Sequence, residues 1–210
     1  MRKIDKQKPL PCFDDFKRNN PGADWNHNFS KPNLPSYECY KESRETILME
    51  EQLFLCGYTE LLIEDEKSSH IDHYIKRSLD NTKTFDWNNL IVSCNDDDFG
   101  ARYKDMKSKI SLEAYLDIFN PVVDIVQDYF EYLANGEVIS KSKGISQPLI
   151  ERANKTIEVF NLNEKSLKSH RRDLIRMIES YKSTELSILD IEKALENTGF
   201  QSVKEQYLVA

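Results

Sequence analysis

Between Ser69 and Ile75 the chain reads SHIDHYI, a short run with the alternation of a strand: Ile71 and His73 share one face and Asp72 points to the other. A loop with Asn81 and Thr82 follows. DWNNLIVSC (86–94) is then a turn running into an apolar segment. NDDDFGARYKDMKSKI comes next, its acidic side chains placed to cap a helix that carries Arg102 and Lys107. The order is strand, loop, helix. These elements define a small mixed unit between Cys56 and Lys107.

The flanks extend this unit in different ways. Residues 1–35 hold five of the seven prolines, Pro9, Pro11, Pro21, Pro32 and Pro35, a composition that favours extended chain and suggests an arm wrapping the body. From Tyr37 to Phe54, apolar residues at Tyr40, Ile47, Leu48 and Phe54 recur at near-helical spacing, so a helix is expected to lead into Cys56. The stretch from Cys56 to Glu66 reads as a short hairpin or knuckle. SLEAYLDIF (111–119) reads as a short helix ended by Pro121, and Asn135-Gly136 marks a hairpin. Three amphipathic helices are expected after Gly144: SQPLIERANKTIEVFNL, NEKSLKSHRRDLIRMIESYK and SILDIEKALENTGF. Four segments result: an arm (1–35), a core (36–110), a short helix with a hairpin (111–144), and a helical interaction module (145–210). The fold class is α+β.

Composition narrows the chemistry. No stretch approaches the roughly 20 apolar residues that cross a bilayer, and MRKIDKQKPLP lacks the apolar run of a signal peptide, so a cytoplasmic protein without a membrane role is expected. Cys12, Cys39, Cys56 and Cys94 form no framework pattern, and no disulfide is expected. A net charge of −7, from 29 basic and 36 acidic residues, predicts poor grip on a polyanion by this chain alone. Binding a polyanion would then need a local patch, such as Lys76, Arg77, Arg102, Lys104 and Lys107, or a partner.

The residues that could do chemistry are Asp72-His73 on the strand, Asn89 after the loop, and the acidic cluster Asp96-Asp97-Asp98. Phosphodiester hydrolysis needs a base for water, a cation for the developing charge, and a group that orients the base. A neutral imidazole at His73 supplies the base, Asp72 holds a hard divalent cation, Asn89 holds the imidazole or its loop, and one acid of the cluster completes the metal site. A pair of histidines near an acid is more often surface hydrogen bonding. His70, His27 and His170 read as structural or surface residues, Asp96 as a cap, and Trp87, Tyr129, Phe130 and Tyr132 as core.

The segments LCGYTE (55–60), SHIDHY (69–74), FDWNNLIVSC (85–94) and TIEVFNLNEKSLKSHR (156–171), together with MRKIDKQ and the hairpin at Asn135-Gly136, resemble the HNH endonucleases, and within them the PtuB-like nucleases of Septu and retron antiphage systems. The resemblance covers most of the chain. It implies a ββα-metal core with His73 as general base, Asp72 and Asp98 on Mg²⁺ or Mn²⁺, Asn89 as the middle asparagine, and Arg102 and Lys104 on the substrate phosphates. Ala101 stands where relatives carry a lysine. Relatives also hold a structural zinc with two Cys-x-x-Cys pairs. Here Thr59 and Asp97 replace the second cysteine of each pair, so no structural zinc is expected. The implied partners are a PtuA-like ATPase and, in retron systems, a reverse transcriptase with its RNA-DNA hybrid. Two alternatives stay open: RNA, including tRNA, in place of DNA, and a degenerate scaffold that binds the ATPase without cutting.

Overall fold

The structure, a computed structural model, describes residues 1–209, without the side chains of Glu66 and Val209. It is a mixed α+β body. Residues 1–10 run extended. Helix α1 (Pro11–Asn19) follows, and a single wide turn at Trp25–Phe29 leads to α2 (Tyr37–Thr46), which continues as another wide turn over Ile47–Glu51. Strands β1 (Ser69–His73) and β2 (Leu90–Cys94) pair antiparallel, with Ser69 opposite Cys94 and His73 opposite Leu90. Helix α3 (Gly100–Tyr103) lies against β2 through Ala101 N–H to Ser93 Oγ at 3.5 Å, and a wide turn carries it on to Ser108. A second antiparallel pair, β3 (Phe130–Tyr132) and β4 (Val138–Ser140), precedes α4 (Gln147–Val159), α5 (Lys165–Lys182), α6 (Ile188–Ala194) and α7 (Gln201–Val209). Among the described residues no helix is long and apolar enough to cross a membrane.

Four expectations need correction. The arm is extended only to Leu10. Pro11 sits in the first turn of α1, where its missing N–H costs nothing, so proline starts a helix here instead of preventing one. The arm does wrap the body: Phe13, Phe16, Trp25 and Phe29 close over Phe85 and Trp87 in an aromatic cluster. The second correction follows from the first. Packing α1 beside α2 brings Cys12 and Cys39 together as a disulfide, Cα to Cα 5.9 Å, although they are 27 residues apart. Third, the acidic cluster does not cap α3. Phe99 is the N-cap and makes no side-chain cap bond, while Asp96 accepts from Asp98 N–H at 2.8 Å in a local turn. Fourth, the helix from Tyr37 stops before Leu53 and Phe54, which both adopt positive φ.

The hairpin expected at Asn135-Gly136 is present, and Gly136 shows why this residue is needed. Its φ is +83°, and an added Cβ would lie 1.9 Å from the Lys168 carbonyl oxygen of α5. The turn is therefore pressed onto α5, whose buried face, Leu167, Arg171, Leu174, Ile175 and Ile178, follows the helical repeat. Arg171 is 2% exposed and donates to the Gly136 and Leu162 carbonyls, each at 2.7 Å. Gly136→Ala combines overpacking with left-handed strain. We expect it to lower stability by about 3 kcal/mol or more in a urea titration.

The last helix, which sequence periodicity did not indicate, closes the body. Ser202 N–H and Oγ donate to the Glu60 carboxylate at 2.8 Å each, and the Met1 ammonium meets the same carboxylate at 2.7 Å.

Candidate functional site

Alternation along β1 sends Asp72 and His73 to opposite sides of the strand, yet both line one cleft of about 620 Å³, because β1 forms its floor near the strand end. His70, Lys76, Arg77 and Asp105 also line it. His73 is 6% exposed and packs edge-on to Trp25 with ring centroids 4.6 Å apart. Its Nε2 lies 2.9 Å from the Thr84 carbonyl oxygen. A carbonyl can only accept, so Nε2 carries the hydrogen and Nδ1 keeps the lone pair. Burial brings the imidazole pKa down from 6.5 to about 4, against the opposing pull of the Asp72 charge. The ring is therefore a neutral base with its tautomer fixed by the backbone.

Asn89 provides that backbone. It is 4% exposed at the entry to β2. Its Oδ1 accepts from Ile75 N–H at 2.8 Å, and its Nδ2 donates to the carbonyls of Ile75 at 3.0 Å and Lys83 at 3.1 Å. Its own backbone carbonyl accepts from Tyr74 N–H. One carboxamide thus ties both ends of the loop between β1 and β2, and that loop carries Thr84. Of the two roles expected of Asn89, holding the imidazole or holding its loop, the geometry is that of the loop.

Lys104 stands elsewhere than expected. A phosphate contact must reach solvent, and Lys104 is 1% exposed. Its ammonium donates to Asp72 Oδ2 at 3.0 Å and to the carbonyls of His73 at 2.8 Å and Tyr74 at 2.9 Å, so its three N–H bonds are used. It also lies 3.2 Å from Asp105 Oδ1. Burial acts to lower the Lys104 pKa, but the Asp72 and Asp105 charges together outweigh it and hold the group above 10.5. Lys104 is an internal counter-charge.

Asp98 and Arg102 do not line the cleft. Asp98 is exposed and pairs with Lys107 at 2.6 Å, while Arg102 bonds Asp97 at 3.0 Å and Asn95 at 3.1 Å. Asp98 is therefore not gathered with Asp72, and among the described residues no three His, Cys, Asp or Glu side chains form a metal-holding group. The carboxylate that does join Asp72 is Asp105, seven residues beyond Asp98. Its buried Oδ1 is the atom that meets the Lys104 ammonium, and burial followed by the Asp72 charge raises its pKa. Tyr58 is the other residue missed: its hydroxyl donates to Asp72 Oδ2 at 2.5 Å. No sequence signal marks either one, since each meets Asp72 only after folding.

Two acids meet one buried ammonium here, with Lys76 beside them, its Nζ donating to the Asp105 carbonyl at 3.0 Å. A Mg²⁺ or Mn²⁺ ion bound through one or two carboxylates, with water and substrate oxygens completing its shell, is compatible with that donor set. The softer site is different. Cys56 and Cys94 bring their Sγ atoms to 3.5 Å, with Thr59 Oγ1 4.0 Å from Cys94 Sγ, while Asp97 has turned to Arg102. Burial opposes ionisation of Cys56, but hydrogen bonds from Cys94 and Thr59 overcome it and hold the thiol well below 9.0. Neither a scan against protein-family models nor a search of curated proteins returns a match for this chain.

Proposed function

We propose that the chain is a phosphodiester hydrolase with a ββα-metal core of the HNH kind, in which β1, β2 and α3 are the minimal unit. The observation that carries this reading is the His73 imidazole: buried, neutral, and fixed by the Thr84 carbonyl with Nδ1 as its acceptor, at a cleft that also holds two cations. In this reaction His73 Nδ1 takes the proton of a water as its oxygen attacks phosphorus. Lys76 and Arg77 face the phosphate, where they offset charge on its oxygens. Asn89 acts through the loop, as a positioning residue. Asp72 and Asp105 would hold the divalent ion, which supplies charge stabilisation when bound. Asp98 has no part in it.

The resemblance to PtuB-like nucleases extends the proposal to an effector of antiphage defence, released or activated by a PtuA-like ATPase, with DNA or RNA, including tRNA, as the polymer. The net charge of −7 supports a partner that brings the binding surface. A second reading, a scaffold that binds the ATPase without cutting, draws support from Lys104, which already neutralises Asp72.

Purified chain with Mg²⁺ or Mn²⁺ is to be incubated with plasmid DNA and with tRNA. We expect His73→Ala to reduce cleavage about 10²- to 10⁴-fold. A base that stays unprotonated down to about pH 4 places the acid limb of the wild-type kcat/KM profile near that value, below the 6.5 of free histidine. Equal cleavage by His73→Ala would remove His73 from the chemistry. An inert wild type in the presence of its ATPase would favour the scaffold.

A further inference from the structure

A groove of about 950 Å³ lies away from the His73 cleft and shares no lining residue with it. Its apolar part includes Leu53, Phe54, Leu62 and Ile63. Leu53 is 72% exposed and Phe54 44%, and both sit at positive φ, 51° and 63°. Left-handed backbone is unfavourable for branched and aromatic residues, and two in succession persist only because the surroundings hold them. Phe54 N–H donates to the Leu48 carbonyl at 2.8 Å and Ile63 N–H to the Phe54 carbonyl at 2.7 Å, which holds the backbone at Phe54 in place.

The charges around this apolar part are mostly negative. Asp5, Glu50, Glu64 and Glu196 line the groove as exposed carboxylates, and none forms an ion pair among the described residues. The cations at the groove are already engaged: Arg2 with Glu205 at 2.8 Å, Lys3 with the Val122 carbonyl, and Lys204 with the Leu195 and Thr198 carbonyls at 3.2 Å each. An apolar floor with an acidic rim calls for a ligand that is apolar on one side and basic on its flanks.

We propose that this groove docks an amphipathic helix of another protein, one that carries lysine or arginine beside its apolar stripe. The space suits it, since two turns of helix with side chains occupy roughly 850 Å³. Charge complementarity selects a basic segment, and it disfavours a second copy of this chain, whose net charge of −7 would bring acid to acid.

The test uses the full chain and a fluorescein-labelled helical peptide of leucine and lysine at i, i+3 and i+4 spacing, followed by anisotropy. Leu53→Asn with Phe54→Asn removes the apolar anchors, and asparagine tolerates the left-handed backbone, so the melting temperature should hold or rise. Glu50→Lys with Glu64→Lys reverses the rim on exposed positions. Each pair is expected to weaken binding about tenfold or more. Asp96→Asn with Asp97→Asn, outside the groove, is expected to change it less than twofold. The proposal is overturned if the groove pairs bind like the wild type, if the Asp96/Asp97 pair weakens binding as much, or if a leucine-glutamate peptide binds equally well. It is also overturned if sedimentation shows a dimer that the Leu53/Phe54 pair dissociates, since the occupant would then be a second copy.

Discussion

Lys104→Met is expected to destabilise the chain by about 3–5 kcal/mol, because it leaves the Asp72 carboxylate buried beside Asp105 with no cation. It also leaves the His73 and Tyr74 carbonyls without the donor that now satisfies them. The sign of the effect separates two roles. A lysine that only contacted substrate would leave stability unchanged on removal and weaken binding instead. Urea unfolding of Lys104→Met, Asp72→Asn and the double variant gives the coupling directly. The double variant should recover part of the loss, since the buried Asp72 charge is gone while Asp105 and the two carbonyls stay without the ammonium. Strictly additive effects would mean that the ammonium and the carboxylate do not depend on each other.

Glu60→Gln should be nearly as costly. The carboxylate is 2% exposed and meets the Met1 ammonium, Ser202 N–H and Ser202 Oγ, so neutralising it leaves a buried cation without its partner. We expect about 3–5 kcal/mol. The same carboxylate and His73 set the acid limit of stability. Burial works to raise the Glu60 pKa, but the ammonium charge and the hydrogen bonds together lower it below 4.5, so its contribution is present above 4.5 and lost as pH falls through the folded value. His73, depressed from 6.5 to about 4, contributes on the order of 3 kcal/mol that is complete above pH 6.5 and gone near pH 4. Wild-type stability should therefore begin to decline below pH 6.5 and fall further below 4.5. His73→Phe, which cannot be protonated, should remove the first phase. An unchanged profile in that variant would contradict the assignment of His73 as a buried neutral group.

How much of this was legible in the sequence depended on whether the signal was local. The alternation in SHIDHYI gave β1, the Asn-Gly pair gave the β3–β4 turn, and the three-and-four spacing gave α4, α5 and α6. Proline misled at Pro11 because the helix start tolerates it. The Cys12–Cys39 bond was invisible because it depends on α1 meeting α2. At the candidate site, His73 ends β1 and Asn89 stands just before β2, as the local pattern indicated. Asp98 looked like the partner of Asp72 by order along the chain, but the turn at Asp96–Phe99 leaves it outside, and α3 with its continuation delivers Lys104 and Asp105 instead. No one-dimensional spacing distinguishes an acid that a helix turns inward from one it leaves in water.

The bond between Glu60 and Ser202 joins positions 142 residues apart in the chain. At a ribosomal pace of roughly 5–20 residues per second, the carboxylate waits on the order of 10 seconds for its two Ser202 donors to be made. Throughout that interval the turn after Cys56 lacks its seal, and the strand bearing His73 belongs to an unfinished body.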